Sequence, residues 1–207
     1  FVCLAEGSDG GAPTGVLDAV RLLEDMDEQW RAFSREQSLR FERTWAPSTW
    51  QGAVGGDLPA EVEAYLDRLP GVSHSFLPDG ALQTHYSVPM VVQTHAGEEA
   101  FSNTILHAVK DQPFYGMTLA DGSPVPEELV EHVEDLALRS EIPIGWEQGD
   151  VAVIDNYRLM HRRGEYGGSG RDLRALHGEE FFEGTTVPVA TTALEKGLKA
   201  LLQGDIV

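Results

Sequence analysis

Short extended segments bounded by turn residues recur along the chain, and they limit its fold more than any other feature. Leu39 to Trp45 alternates apolar and charged residues, the pattern of a strand with one face buried. Ala81 to His95 reads as extended chain broken at Pro89, and Ala100-Phe101-Ser102-Asn103 as another extended piece. Ile142 to Trp146, Asp150 to Asp155 and Arg171 to Phe182 are further strands, with Val151 to Ile154 expected to be buried. Helical periodicity is confined to a few places. Val16, Val20, Leu22 and Leu23 form one apolar stripe, and Glu28 to about Gln37 a second helix. Pro59 to Leu69 starts on a helix-initiating proline, and Pro126 to Arg139 places Leu129, Val133, Leu136 and Ala137 on one face. Glu6 to Gly15, Trp50 to Asp57, Leu77 to Gly80 and Ala120 to Pro124 carry the turn residues of loops. A last helix, from about Thr192 to Leu202, is expected to pack on the sheet or on another subunit of a homo-oligomer. Many short strands with a few helices predict an α+β, mainly β chain: a sheet-based barrel or sandwich with flanking helices.

Charge narrows the function classes. The 207 residues carry a formal charge of −19, which disfavours nucleic-acid backbones and anionic membrane surfaces, both of which need clustered Lys and Arg. No apolar run approaches the length of a membrane span. The single cysteine, Cys3, excludes an intrachain disulfide and a Cys-based zinc site, and it agrees with a cytoplasmic location.

The stretch from Gly145 to Arg163 holds the chemistry. It consists of a turn at Gln148-Gly149-Asp150, an apolar strand, a polar strand end at Asp155-Asn156, and His161 flanked by Arg162 and Arg163. Imidazole is the commonest side-chain metal ligand, and strand ends at a barrel mouth are where ligands collect. On an extended chain Arg171 and Leu173 share one face while Arg174 points to the other.

The run Trp146-x-x-Gly149-Asp150, Asp155-Asn156, Met160-His161-Arg162-Arg163, Tyr166 and Gly170-Arg171 resembles the closing motif of the taurine dioxygenase and clavaminate synthase family. Upstream, Asp121-Gly122-Ser123-Pro124 and Glu98-Glu99-Ala100-Phe101-Ser102-Asn103 are similar to further blocks of that family. Phe1-Val2-Cys3-Leu4 followed by Gly10-Gly11-Ala12-Pro13-Thr14 resembles its early strand and Gly-Gly-x-Thr loop, with one extra residue after the glycine pair. The resemblance implies a double-stranded β-helix, or jelly-roll, core over residues 1–184, and a helical tail over 185–207.

It also implies a dioxygenase using Fe(II), 2-oxoglutarate and O2, which releases succinate and CO2 while hydroxylating a small amino-acid-like or carboxylate substrate, free or held on a carrier protein. His161 matches an iron ligand. Arg171 matches the anchor of the far 2-oxoglutarate carboxylate, with Arg174 the alternative if the strand slips by one residue. A planar guanidinium suits a carboxylate better than Lys does. Thr14 matches the threonine that contacts 2-oxoglutarate, against the plainer reading of a Gly-rich turn. Asp155 and Asn156 either brace the His161 loop or serve the turn itself. Arg162, Arg163 or Arg174 would meet an acidic group of the substrate.

One element of the pattern is missing. The first metal motif, His-x-Asp or His-x-Glu, precedes the Gly-Gly loop in that family, and this chain has no His before His74. The opening strand pattern without Met leads to the expectation that a preceding segment is absent. His132-Val133-Glu134 is read as a solvated helix face, because residues two apart on a helix diverge. His95-Ala96-Gly97 is read as a turn. His177-Gly178-Glu179 lies on a strand, where i and i+2 share a face, and suits a cupin-like site with His161 and one further His, although it follows His161, the reverse of the family order. A non-catalytic jelly-roll binding module is the rival reading.

Overall fold

The computed structural model describes residues 1–7, 13–69, 71–103, 105–106, 115–163, 169–175 and 192–203. In chain order the first elements are β1 (Val2–Ala5), β2 (Thr14–Asp18), α1 (Ala19–Asp25), α2 (Glu28–Glu36), β3 (Ser38–Trp45), α3 (Pro47–Val54), α4 (Pro59–Leu66), β4 (Val72–Phe76) and β5 (Leu82–Pro89). There follow β6 (Val92–Gln93), β7 (Glu99–Ala100), β8 (Tyr115–Leu119), α5 (Glu127–Ser140), β9 (Ile142–Ile144), β10 (Leu159–Arg163), β11 (Asp172–Arg174) and α6 (Ala193–Gln203). The chain is α+β, with the described strands in four small sheets. No helix among the described residues is long and apolar enough to cross a membrane.

The chain divides into two compact units. The first comprises Phe1–Ser38, Pro89–His107 and Val125–Gly178. It contains a three-stranded sheet in the order β10-β2-β9 and two strand pairs, β1-β11 and β6-β7, all antiparallel. Helix α1 buries Ala19, Val20, Leu22 and Leu23, and α5 buries Leu129, Val130, Val133, Leu136 and Ala137, as periodicity requires of a half-exposed helix. Val16 does not join that apolar stripe, contrary to expectation. It lies in β2, whose backbone is claimed on one side by β10 and on the other by β9. Asp18 marks the change of structure: its Oδ1 accepts from the Val20 N–H at 3.1 Å and caps α1.

The apolar run after Gly149 departs from the expected buried strand. Its first residues run antiparallel to β1, with Cys3 N–H donating to Asp150 O (2.9 Å) and Ala152 N–H to Phe1 O (3.0 Å). Val151 forms only an isolated bridge with Val2, and residues 152–155 take no regular structure. Val151 and Val153 are 67% and 95% exposed. Two residues apart in extended chain, they project to one side, and no described residue covers that side.

The second unit comprises Leu39–Val88, Ala108–Pro124 and Glu179–Val207. Its sheet has the order β4-β5-β3-β8. Trp50, Val54, Val62, Tyr65, Leu66, Leu82 and Leu198 form its core, drawing α3, α4 and α6 together. The Trp50 indole donates to Gly80 O at 3.0 Å, which satisfies its one polar group. Residues 50–54 are helical where a loop was expected. Pro47 starts α3 at its first turn, and Gly55, at φ +78, closes it in the left-handed region. Gly52 in the helix interior masks the pattern.

Candidate active site

Strand pairing in the first unit sets the site. In the β2-β10 ladder His161 lies opposite Val16, and Arg163 opposite Thr14; in the β2-β9 ladder Thr14 lies opposite Ile144. Directly opposed residues share a face, and positions two apart in a strand do too, so Thr14, Val16 and His161 project to the same side. Thr14 and His161 are diagonal neighbours, a relation that places Cβ atoms about 7–8 Å apart. Residues from opposite ends of the sequence are thus brought onto one sheet face.

Thr14 is buried, and its Oγ1 accepts from the Trp146 indole at 2.8 Å. His161 is exposed. Its ring meets the Phe1 ring edge-on, with centroids 5.1 Å apart and planes at 77°, and Phe1 also lies 6.3 Å from the Trp146 ring. These aromatic contacts limit how the imidazole turns.

The opposite face of the sheet carries an ion pair. Arg162 pairs with Glu141 through Nε, and through Nη2 at 3.1 Å. The Glu141 carboxyl lies over Gly15, where an added Cβ would stand within 2.6 Å of both its oxygens. Gly15→Ala is expected to displace Glu141 and break the pair. Because Arg162 is about half exposed, urea unfolding should show a loss under about 1 kcal/mol. The same loss should remain when Glu141 is also changed to Gln only if the clash, rather than the pair, dominates.

Arg158 ties three sequence blocks together. It donates through Nη2 to Asp18 Oδ2 (3.0 Å), at the end of β2, and through Nη1 to Glu98 Oε2 (2.6 Å). Hydrogen bonding to Asp18 is the chief cause raising its pKa, with the charges of Asp18 and Glu98 adding to it. The hairpin before β10 is braced as well. Asp155 Oδ1 accepts from the Tyr157 N–H (2.9 Å), and Ser102 Oγ donates to Asn156 O (2.7 Å). Asp155 therefore serves the turn, while the Asn156 backbone is held by a residue of the upstream block. These polar links were not legible in the sequence beyond the recurrence of their blocks.

Arg171 stands immediately before β11, after Gly170 at φ +82. That left-handed backbone favours glycine and turns the chain into the strand. The residue is partly exposed, but its Nη1 is buried. Arg174 differs: it pairs with Asp172 at 3.1 Å through both Nε and Nη2, and its side chain is 67% exposed. Hydrogen bonding to Asp172 raises the Arg174 pKa, and the same bond lowers that of Asp172.

The remaining histidines take several roles. His132 Nε2 accepts the Asp27 N–H at 3.2 Å, and His95 sits in a turn with its ring 4.8 Å from that of Tyr157. His177 and Glu179 lie outside the described residues. Among the described residues, no three His, Cys, Asp or Glu side chains gather to hold a metal ion. His161 would thus be one ligand of a set that these residues leave incomplete, whereas Thr14 and Arg171 have the donor chemistry for a carboxylate ligand.

The profile of the taurine catabolism dioxygenase TauD, TfdA family matches residues 1–177. The chain belongs to the TauD/TfdA family. A dapdiamide synthesis protein, DdaC, of Enterobacter agglomerans is 24% identical over 180 residues, covering 76% of this chain and 54% of that protein. A clavaminate synthase-like protein of Arabidopsis thaliana is 28% identical over 67 residues, or 32% of this chain and 20% of that protein. The chain spans about half the length of DdaC and less of the second relative. The TauD/TfdA match takes in Thr14, Trp146, His161 and Arg171 together, all within the first structural unit.

Proposed function

We propose that this TauD/TfdA protein is an Fe(II)- and 2-oxoglutarate-dependent dioxygenase built on a double-stranded β-helix core over residues 1–184, with residues 185–207 a helical tail. The observation that carries the reading is the placement of Thr14 and His161 on one face of adjacent strands, within a family match that spans both. His161 would be one iron ligand, Arg171 would grip the far carboxylate of 2-oxoglutarate, and Thr14 would donate to the same molecule. Arg174 is the weaker candidate for anchor, since Asp172 already holds it in an exposed pair. Iron bound with 2-oxoglutarate and O2 supplies the oxidation, yielding succinate and CO2 with hydroxylation of a substrate C–H bond.

The substrate class is a small amino-acid-like or carboxylate molecule, free or on a carrier protein; Arg162, paired with Glu141 on the opposite face of the sheet, is not placed to meet it. The relative named for dapdiamide synthesis supports a biosynthetic role. A cytoplasmic location and a homo-oligomer complete the proposal. The rival is a non-catalytic binding module, favoured by the incomplete ligand set among the described residues. Oxygen uptake by the protein separates the two. Uptake stimulated only when Fe(II) and 2-oxoglutarate are both present supports the dioxygenase; uptake indifferent to 2-oxoglutarate sinks it.

A further inference from the structure

We infer that Trp146 is a positioning residue, whose indole N–H fixes the Thr14 hydroxyl so that its proton is offered to an anionic oxygen of the bound carboxylate ligand. The inference rests on the 2-oxoglutarate reading above and goes beyond it by naming the group that orients the donor. An indole nitrogen only donates, so the polarity of the 2.8 Å bond is fixed: Trp146 gives and Thr14 Oγ1 accepts. A hydroxyl has one proton of its own, and with Oγ1 held as acceptor that proton must point elsewhere. Thr14 is only 3% exposed, so water is a poor taker. Among the described residues no side-chain or backbone acceptor receives the proton. Buried hydroxyl donors nearly always find an acceptor, and a ligand oxygen supplies one.

The local fold explains why Trp146 holds this place. Thr14 lies opposite Ile144 across the β2-β9 ladder, and two residues later the chain brings the indole back to Thr14. Phe1, 6.3 Å away, packs against the same indole, which itself is 5% exposed. The face that Thr14 shares with His161 puts the offered proton on the side where a metal-bound ligand would lie.

Calorimetric titration of the full chain with 2-oxoglutarate tests the inference, on the wild type, Thr14→Val, Thr14→Ser, Trp146→Phe and the Thr14→Val/Trp146→Phe pair. Loss of one hydrogen bond to a charged ligand predicts binding about tenfold weaker in Thr14→Val and about fivefold weaker in Trp146→Phe. Thr14→Ser should stay within about twofold of wild type, because it keeps the hydroxyl. The double variant should bind no more weakly than Thr14→Val alone, since the indole acts only through the hydroxyl. A merely structural tryptophan would give additive losses, and that result, or unchanged binding in Trp146→Phe, overturns the inference while leaving the 2-oxoglutarate reading intact. The wild-type indole N–H resonance of Trp146 gives an independent check. It should shift on adding 2-oxoglutarate and stop responding in Thr14→Val; a response that persists there counts against the coupling. Absence of any 2-oxoglutarate binding to the wild type removes the reading and the inference together.

Discussion

Arg171→Leu is expected to weaken 2-oxoglutarate binding about 100-fold, and Arg171→Lys about tenfold. The larger figure follows from truncating one partner of a hydrogen-bonded charge pair shielded from water, which costs about 2–5 kcal/mol. Shielding is supported by the buried Nη1. Lysine restores the charge but not the planar fork that meets both carboxylate oxygens, so it recovers only part of the loss. Arg174→Leu serves as the control. Its guanidinium is engaged by Asp172 at the surface, so its loss should change binding less than about twofold. Calorimetry on the three variants decides between the two arginines. A large effect at Arg174 with none at Arg171 would mean that the strand register assigns the anchor wrongly.

Gly197→Ala is expected to destabilise the second unit by about 3 kcal/mol, the upper part of the usual range for overpacking. Gly197 lies in α6 where that helix crosses α3, and a Cβ there would stand 2.7 Å from the Ala53 carbonyl carbon and closer still to its oxygen. The obstacle is backbone, so no rotamer change relieves it. The helices must separate, which loosens Leu198 from the core around Trp50 and Leu66. Urea unfolding should show a lower midpoint with an unchanged slope. Ala53→Gly would not rescue the variant, because the clash is with the carbonyl rather than a side chain. An unchanged midpoint would show that α6 does not pack on α3.

Much of the local structure was legible because its signals were redundant. Helix α5 carries five buried apolar positions and two acidic residues, Glu127 and Glu128, in its first turn, so periodicity and end chemistry agree. Strand β3 shows clear alternation. Failures came where one local signal competed with another. In β2, the apolar residues Val16 and Leu17 run straight into those of α1, and only the capping role of Asp18 separates strand from helix. Strand β4 is masked in the sequence because His74, a polar residue, takes an inward position between Val72 and Phe76. In residues 151–154 the apolar run was visible, but nothing in a single run of sequence states which face has a neighbour to bury it.

The candidate site was legible as spacing and not as geometry. The order of blocks pointed to Thr14, His161 and Arg171, and the ladders place the first two on one face. The Trp146 bond to Thr14 spans 132 positions, and the Arg158 bridges to Asp18 and Glu98 span 140 and 60, so no local pattern announces them. Such links depend on the register of paired strands, which composition and periodicity leave open.

Succinate release is the most direct measure of the central claim. The protein is incubated with 2-oxoglutarate in air, with and without Fe(II), beside a His161→Ala variant of unchanged far-UV circular dichroism. The account predicts succinate that requires Fe(II) and is lost in the variant. Succinate formed equally by His161→Ala, or none formed by the wild type with both additions, would contradict it.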